Sequence, residues 1–254
     1  MSLSKYSDHE RTRSSLPCSA VSFLPVQAAA PKVFVERGAA NTVVVERDGK
    51  EARVPEDGFG AQPVKNSKLL YTAFGDDDAE KYGVIPGVYI FDESGKPVAS
   101  APLENADMSG EAVLSPGGTV LAVDLGGSLV RDWTFFAFPS MKWLDKEGVG
   151  YYAAEEKPTL VWISDTDILF NTMKVDDPGR ACGYDPCGPV SVARHDLATG
   201  KTTPILQGTP LCDYTLVSFA GGMVTAEKLC LKKAKDWENY PENAPREKMT
   251  VKLP

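Results

Sequence analysis

From Pro31 onward, apolar residues come in short runs of Val, Ile, Leu, Phe and Tyr, each closed by Gly, Pro, Asp or Asn. Helical periodicity is scarce, and such bounded, β-branched runs predict strands. "KVFVER" and "NTVVVERDGKEARV" open the series, the second turning through Asp48-Gly49. "SKLLYTAF" (67–74), "GVYIFDESGKPVASAPL" (87–103), "EAVLSPGGTVLAVDL" (111–125) and "DWTFFAFPSMKWL" (132–144) follow. Next come "TLVWISDTDILFNTMKV" (159–175), "VSVARHDLATGKTTPIL" (190–206) and "YTLVSFAGGMVTAEKLCL" (214–231). In the closing "KMTVKL", Met249, Val251 and Leu253 alternate with Lys248, Thr250 and Lys252, the period of a strand with one buried face.

The hairpins recur in order. One type joins two apolar strands through a small turn: "AVLSPGGTVLAV", "LVWISDTDILFN", "LVSFAGGMVTAE". The other turns through a polar element: "FDESGKPV", "HDLATGKTTP". Val120, Ile168 and Met223 hold equivalent places roughly 50 residues apart, which is what four short strands and their turns require. The chain beyond residue 30 has room for about five such units. A lone unit cannot bury both faces, so a ring of repeats is the economical solution. The expected fold is therefore all-β, a β-propeller of about five four-stranded blades. It would occupy residues 31–254 as a single domain behind an N-terminal arm of residues 1–30. A Greek-key β-sandwich is the alternative.

"SPGGTVLAV" resembles the inner hairpin of TolB-type and WD40-like propeller repeats, and "HDLATGKTTPIL" resembles their outer hairpin. In the outer turn Asp196 is placed to accept hydrogen bonds from the turn backbone, Gly200 to take positive φ, and Lys201 to re-enter a strand. The resemblance implies an architecture and carries no catalytic residues. It also implies closure by terminal strands, which would put "KVFVER" or its neighbour in the blade holding "KMTVKL".

Composition narrows the functional classes. The net charge of −8, from 27 basic and 35 acidic residues, argues against a nucleic-acid partner, which needs clustered Lys and Arg. No run reaches the ~18 apolar residues of a membrane span. The N-terminal stretch has a basic start, a mildly apolar middle and an alanine-rich end, as signal peptides do. Pro17 and Pro25 interrupt its apolar part, so it reads better as an arm of the mature protein. The expected partner is a protein or small-molecule ligand, with no cofactor.

Of five cysteines, Cys182 and Cys187 flank a Gly-Tyr-Asp-Pro turn, while Cys212 and Cys230 flank a predicted hairpin. Zinc would need two close ligand pairs, which this spacing and two histidines do not supply. Redox catalysis favours Cys-x-x-Cys at a helix start. Disulfides Cys182–Cys187 and Cys212–Cys230 fit better, because the first turn is tight and antiparallel pairing would bring the second pair together. Such bridges point to a periplasmic or secreted protein. Cys18 is left over as an unpaired thiol.

Catalytic signatures are missing. There is no nucleophile elbow for His195, which is expected to be exposed at a strand end, and no phosphate-binding glycine loop. Asp76, Asp78 and Glu80 alternate as in some calcium loops, although a solvated acidic connection explains them as well. Arg131, Asp132 and Trp133 stand at the entry to an aromatic hairpin, and Arg180 and Tyr184 on the Cys182–Cys187 loop. Together these five are the expected ligand surface, since rim residues pairing aromatic bodies with polar tips suit recognition. The leading expectation is a non-catalytic binding or scaffold module. The alternative is a hydrolase with carboxylates or a metal ion around a central channel.

Overall fold

The structure, a computed structural model, describes residues 30–38, 41–54, 60–103, 110–126, 130–152, 160–173, 188–239 and 244–253. Among them, the strands form five antiparallel sheets that follow one another in chain order. Sheet 1 holds β1 (Lys32–Glu36), β2 (Thr42–Arg47) and β3 (Lys50–Arg53). Sheet 2 holds β4 (Gln62–Pro63), β5 (Leu70–Phe74), β6 (Gly87–Phe91) and β7 (Pro97–Pro102), with helix α1 (Asp76–Tyr82) between β5 and β6. Sheet 3 is β8 (Ala112–Leu114), β9 (Val120–Gly126), β10 (Val130–Ala137) and β11 (Lys142–Tyr152). Sheet 4 is β12 (Leu160–Trp162), β13 (Asp167–Met173), β14 (Val190–Asp196) and β15 (Lys201–Leu206). Sheet 5 is β16 (Cys212–Ala220), β17 (Met223–Cys230) and β18 (Glu247–Lys252).

Every sheet is a plain meander in which each strand pairs with its neighbour in sequence, so the described residues contain no Greek-key crossing. One expectation is corrected. β1 pairs with β2 in sheet 1 and β18 pairs with β17 in sheet 5, so "KVFVER" does not join the sheet of "KMTVKL". The register Lys32↔Glu46 to Glu36↔Thr42 places Val33 and Val35 beside Val45 and Val43 on one face, and burying that face commits β1 to its own hairpin.

Among the described residues, four apolar cores lie between sheets adjacent in sequence. Val33, Val35, Val43 and Val45 meet Leu70, Phe74 and Phe91 between sheets 1 and 2. Val88 and Ile90 meet Leu121, Val123 and Phe136 between sheets 2 and 3. Trp133 and Phe135 meet Trp162, Ile168 and Phe170 between sheets 3 and 4. Leu169 and Val192 meet Leu216, Val224 and Ala226 between sheets 4 and 5. The central strands of a sheet therefore supply both neighbouring cores. Leu121 and Val123 face sheet 2 while Val120 and Ala122 face sheet 4, which is period-2 alternation with both faces buried. Burying each large apolar side chain stabilises by roughly 1.5–3 kcal/mol.

Polar contacts fix the order of the stack. The Lys65 N–H donates to Ala112 O (2.9 Å) and the Leu114 N–H to Lys65 O (3.1 Å), a parallel bridge between sheets 2 and 3. Asp165, in the β12–β13 turn, reaches the β8–β9 turn, where it accepts from the Gly117 N–H (2.6 Å) and the Thr119 hydroxyl (2.7 Å). A Cβ at Gly117 would push that carboxylate out of its present position. Asn171 Oδ1, fully buried on β13, accepts from the Leu216 N–H of sheet 5 at 2.8 Å.

Candidate functional site

Antiparallel meanders put alternate turns at opposite ends of the strands, and in sheets 2–5 the two ends differ. At one end the connections are short: 64–69, 92–96, 115–119, 138–141, 163–166, 197–200 and 221–222. At the other lie α1 and the connections 103–111, 127–129, 153–159, 174–189, 207–211 and 231–246. Long connections on a rigid scaffold are where binding residues concentrate. This wide end is the candidate site.

Sheets 4 and 5 are sewn together there. The Val190 N–H donates to Asp213 Oδ1 at 2.8 Å, and the Gly208 N–H donates to Ser191 Oγ at 2.9 Å. Cys212 and Cys230, opposite each other on β16 and β17, form a disulfide with Cα atoms 4.1 Å apart. A 3₁₀ helix, Ala234–Asn239, then brings Trp237 Nε1–H to Pro210 O at 2.9 Å, burying the indole against the link into sheet 5.

In sheet 3, Asp132, the third residue of β10, has an exposed side chain and pairs in register with Leu125 and Gly150. Arg131 precedes it opposite Gly126 and Tyr151. Trp133, expected at the rim, is completely buried in the core between sheets 3 and 4. The alternation that turns Asp132 outward turns Trp133 inward. Arg180, Tyr184, Cys182, Cys187 and Cys18 lie outside the described residues.

The acidic run of 75–83 forms helix α1, with Gly83 (φ 68°) as its left-handed C-cap. Asp76, Asp77 and Asp78 occupy its first turn, where carboxylates complement the positive end of the helix dipole. Among the described residues, no three His, Cys, Asp or Glu side chains group as a metal ion would require. Charge varies across the wide end, with exposed Asp76, Asp77 and Glu80 at sheet 2, Asp132 at sheet 3, and Lys232, Lys233 and Lys235 beyond sheet 5.

Two further side chains at this end escaped the sequence reading. Asp124, on the half of β9 nearest the wide end, is only 2% exposed, and Asn171 is fully buried. Both stand where the strand alternation calls for an apolar residue, in "VLAVDL" and "ILFNTM", and that broken phase is the signal that could have found them. His195, expected at the surface, is buried. Its ring stacks on Phe135 with centroids 6.4 Å apart, and its Nδ1 lies 2.9 Å from the Thr202 hydroxyl.

No family description matches the chain, and no curated protein matches it. Several solved structures are similar. The β-propeller domain of the trilobed protease from Pyrococcus furiosus is 12% identical with a TM-score of 0.44, covering 88% of this chain and 70% of that one. TolB from Acinetobacter baumannii is 12% identical with a TM-score of 0.34, over 82% of this chain and 55% of TolB. The Neurospora crassa Pan2 WD40 domain is 11% identical with a TM-score of 0.35, over 76% of this chain and 60% of that one. TolB and WD40 propellers, the repeats that the hairpin motifs resemble, are thus among the similar structures. No helix among the described residues is long and apolar enough to cross a membrane.

Proposed function

We propose that this chain is an extracytoplasmic five-bladed propeller that acts as a non-catalytic binding or scaffold module and takes its ligand at the wide end. The observation that carries the reading is the asymmetry between ends, with connections of no more than six residues at one and every longer connection of sheets 2–5 at the other. Five successive meanders sharing four cores are what a ring of blades would be built from. The Cys212–Cys230 disulfide supports an oxidising compartment. Arg131 and Asp132, near the wide-end start of β10, are assigned to the ligand, and Arg180 and Tyr184 stay assigned from the sequence alone.

The test is a thermal-shift panel of oligosaccharides, peptides and divalent cations on the purified chain. A stabilising compound should lose its effect in R131A/D132A and keep it when the 197–200 turn is altered. The opposite pattern would refute the assignment. Buried Asp124 favours a second reading, a hydrolase using carboxylates around a channel. Turnover of a glycosyl or phosphoryl substrate that D124N abolishes would establish that reading instead.

A further inference from the structure

Among the described residues, sheet 5 stops one strand short of sheets 2–4. In those sheets the third strand, β6, β10 or β14, is covered by a fourth. β18, third in sheet 5, pairs only with β17 among the described residues. β6 and β14 are buried along most of their length, whereas β18 alternates between exposed and half-buried positions. Met249, Val251 and Leu253 border the core between sheets 4 and 5, and Lys248, Thr250 and Lys252 lie exposed on the other face. An edge strand carries unpaired N–H and C=O groups that can template a further strand.

We propose that β18 accepts an extended acidic segment of a separate protein as the fourth strand of sheet 5. Charge selects that occupant. Lys248 and Lys252 stand four residues apart on one face, with exposed Arg246 just before the strand. The nearby anions are Glu247 and Glu227. Glu227 is opposite Lys248 in register and lies 3.8 Å from Arg246. In a chain of net charge −8 this edge is locally basic.

The chain's own N-terminal arm is the rival occupant. Fully extended, its 30 residues would span ~100 Å, at ~3.3 Å per residue. However, its only carboxylates, Asp8 and Glu10, stand two residues apart where Lys248 and Lys252 are four apart, and Pro17 and Pro25 remove backbone donors. A second copy pairing antiparallel about Thr250 would set Lys248 against Lys252, a like-charge opposition. The segment that fits alternates apolar residues, toward Met249 and Val251, with carboxylates two positions either side of a central residue. This surface is separate from the wide end and does not depend on the function proposed for it.

The probe is a fluorescein-labelled peptide of sequence Val-Glu-Val-Thr-Val-Glu-Val, titrated into the full chain by anisotropy, with a Lys-for-Glu peptide as control. The Glu peptide should saturate and the control bind at least about tenfold more weakly, with that order reversing in K248E/K252E. Hydrogen exchange should show β18 amides protected only when the Glu peptide is present. Equal binding of both peptides, an order unchanged in K248E/K252E, or no binding of either would overturn the proposal. So would β18 amides already protected in the free chain, whether independently of concentration (its own arm) or with concentration (a second copy).

Discussion

Asp165 and Asn171 each tie two sheets together, but at opposite depths. Asp165 is at the surface. The Thr119 hydroxyl and then the Gly117 N–H hold its carboxyl below the usual carboxylate range. Because the folded value lies below the unfolded 3.8, the stabilisation is fully present above that pH and lost as pH falls through the folded value. Solvent screening keeps it modest. Asp165→Ala should therefore lower Tm by about 2 °C at neutral pH, with the difference from wild type shrinking below pH 4 in a melting series. Asn171 is buried, so Asn171→Ala strands the Leu216 N–H in the core. That change should cost about 1–3 kcal/mol in urea unfolding, with little dependence on pH. Trp133→Ala should cost about 3–5 kcal/mol, because the ring is a core residue and not a ligand contact.

At the scale of elements, the strands were legible because their signals are local. The "DLATGK" turn is built as its residues predict: Asp196 accepts from the Ala198 N–H (2.8 Å) and the Thr199 N–H (3.2 Å), Gly200 has φ 68°, and β15 begins at Lys201. "FDESG" repeats the design, with Asp92 accepting from the Ser94 N–H at 2.8 Å and Gly95 at φ 86°. Cys212 and Cys230 could be paired because they flank one hairpin, and the register sets them opposite each other. The misread positions depend on non-local facts. Whether Trp133 faces core or rim and whether His195 is covered by Phe135 are decided by the neighbouring sheet, not by adjacent residues. Cys230→Ser tests the element directly. Closing a loop of this length stabilises by up to about 3 kcal/mol, so the variant should lose up to that amount in denaturant melts, as should wild type under reductant. No change in either would mean the bridge contributes nothing to sheet 5.

At the scale of the whole molecule, the architecture defines where a site can lie. Five meanders in chain order share their cores pairwise, so each sheet is held by its neighbours, and the free ends of the strands divide into a plain face and an elaborated one. The sequence spacing of hairpins made the stack legible. It could not show that β1 stays in sheet 1, because that choice turns on the valine face shared by β1 and β2. The most direct measurement is hydroxyl-radical footprinting of the chain with and without a stabilising compound from the thermal-shift panel. Protection should fall on 127–132, 153–159 and 174–189 while the turns at 115–119, 163–166 and 197–200 stay unchanged. Protection confined to those tight turns would contradict the assignment of the wide end as the binding surface.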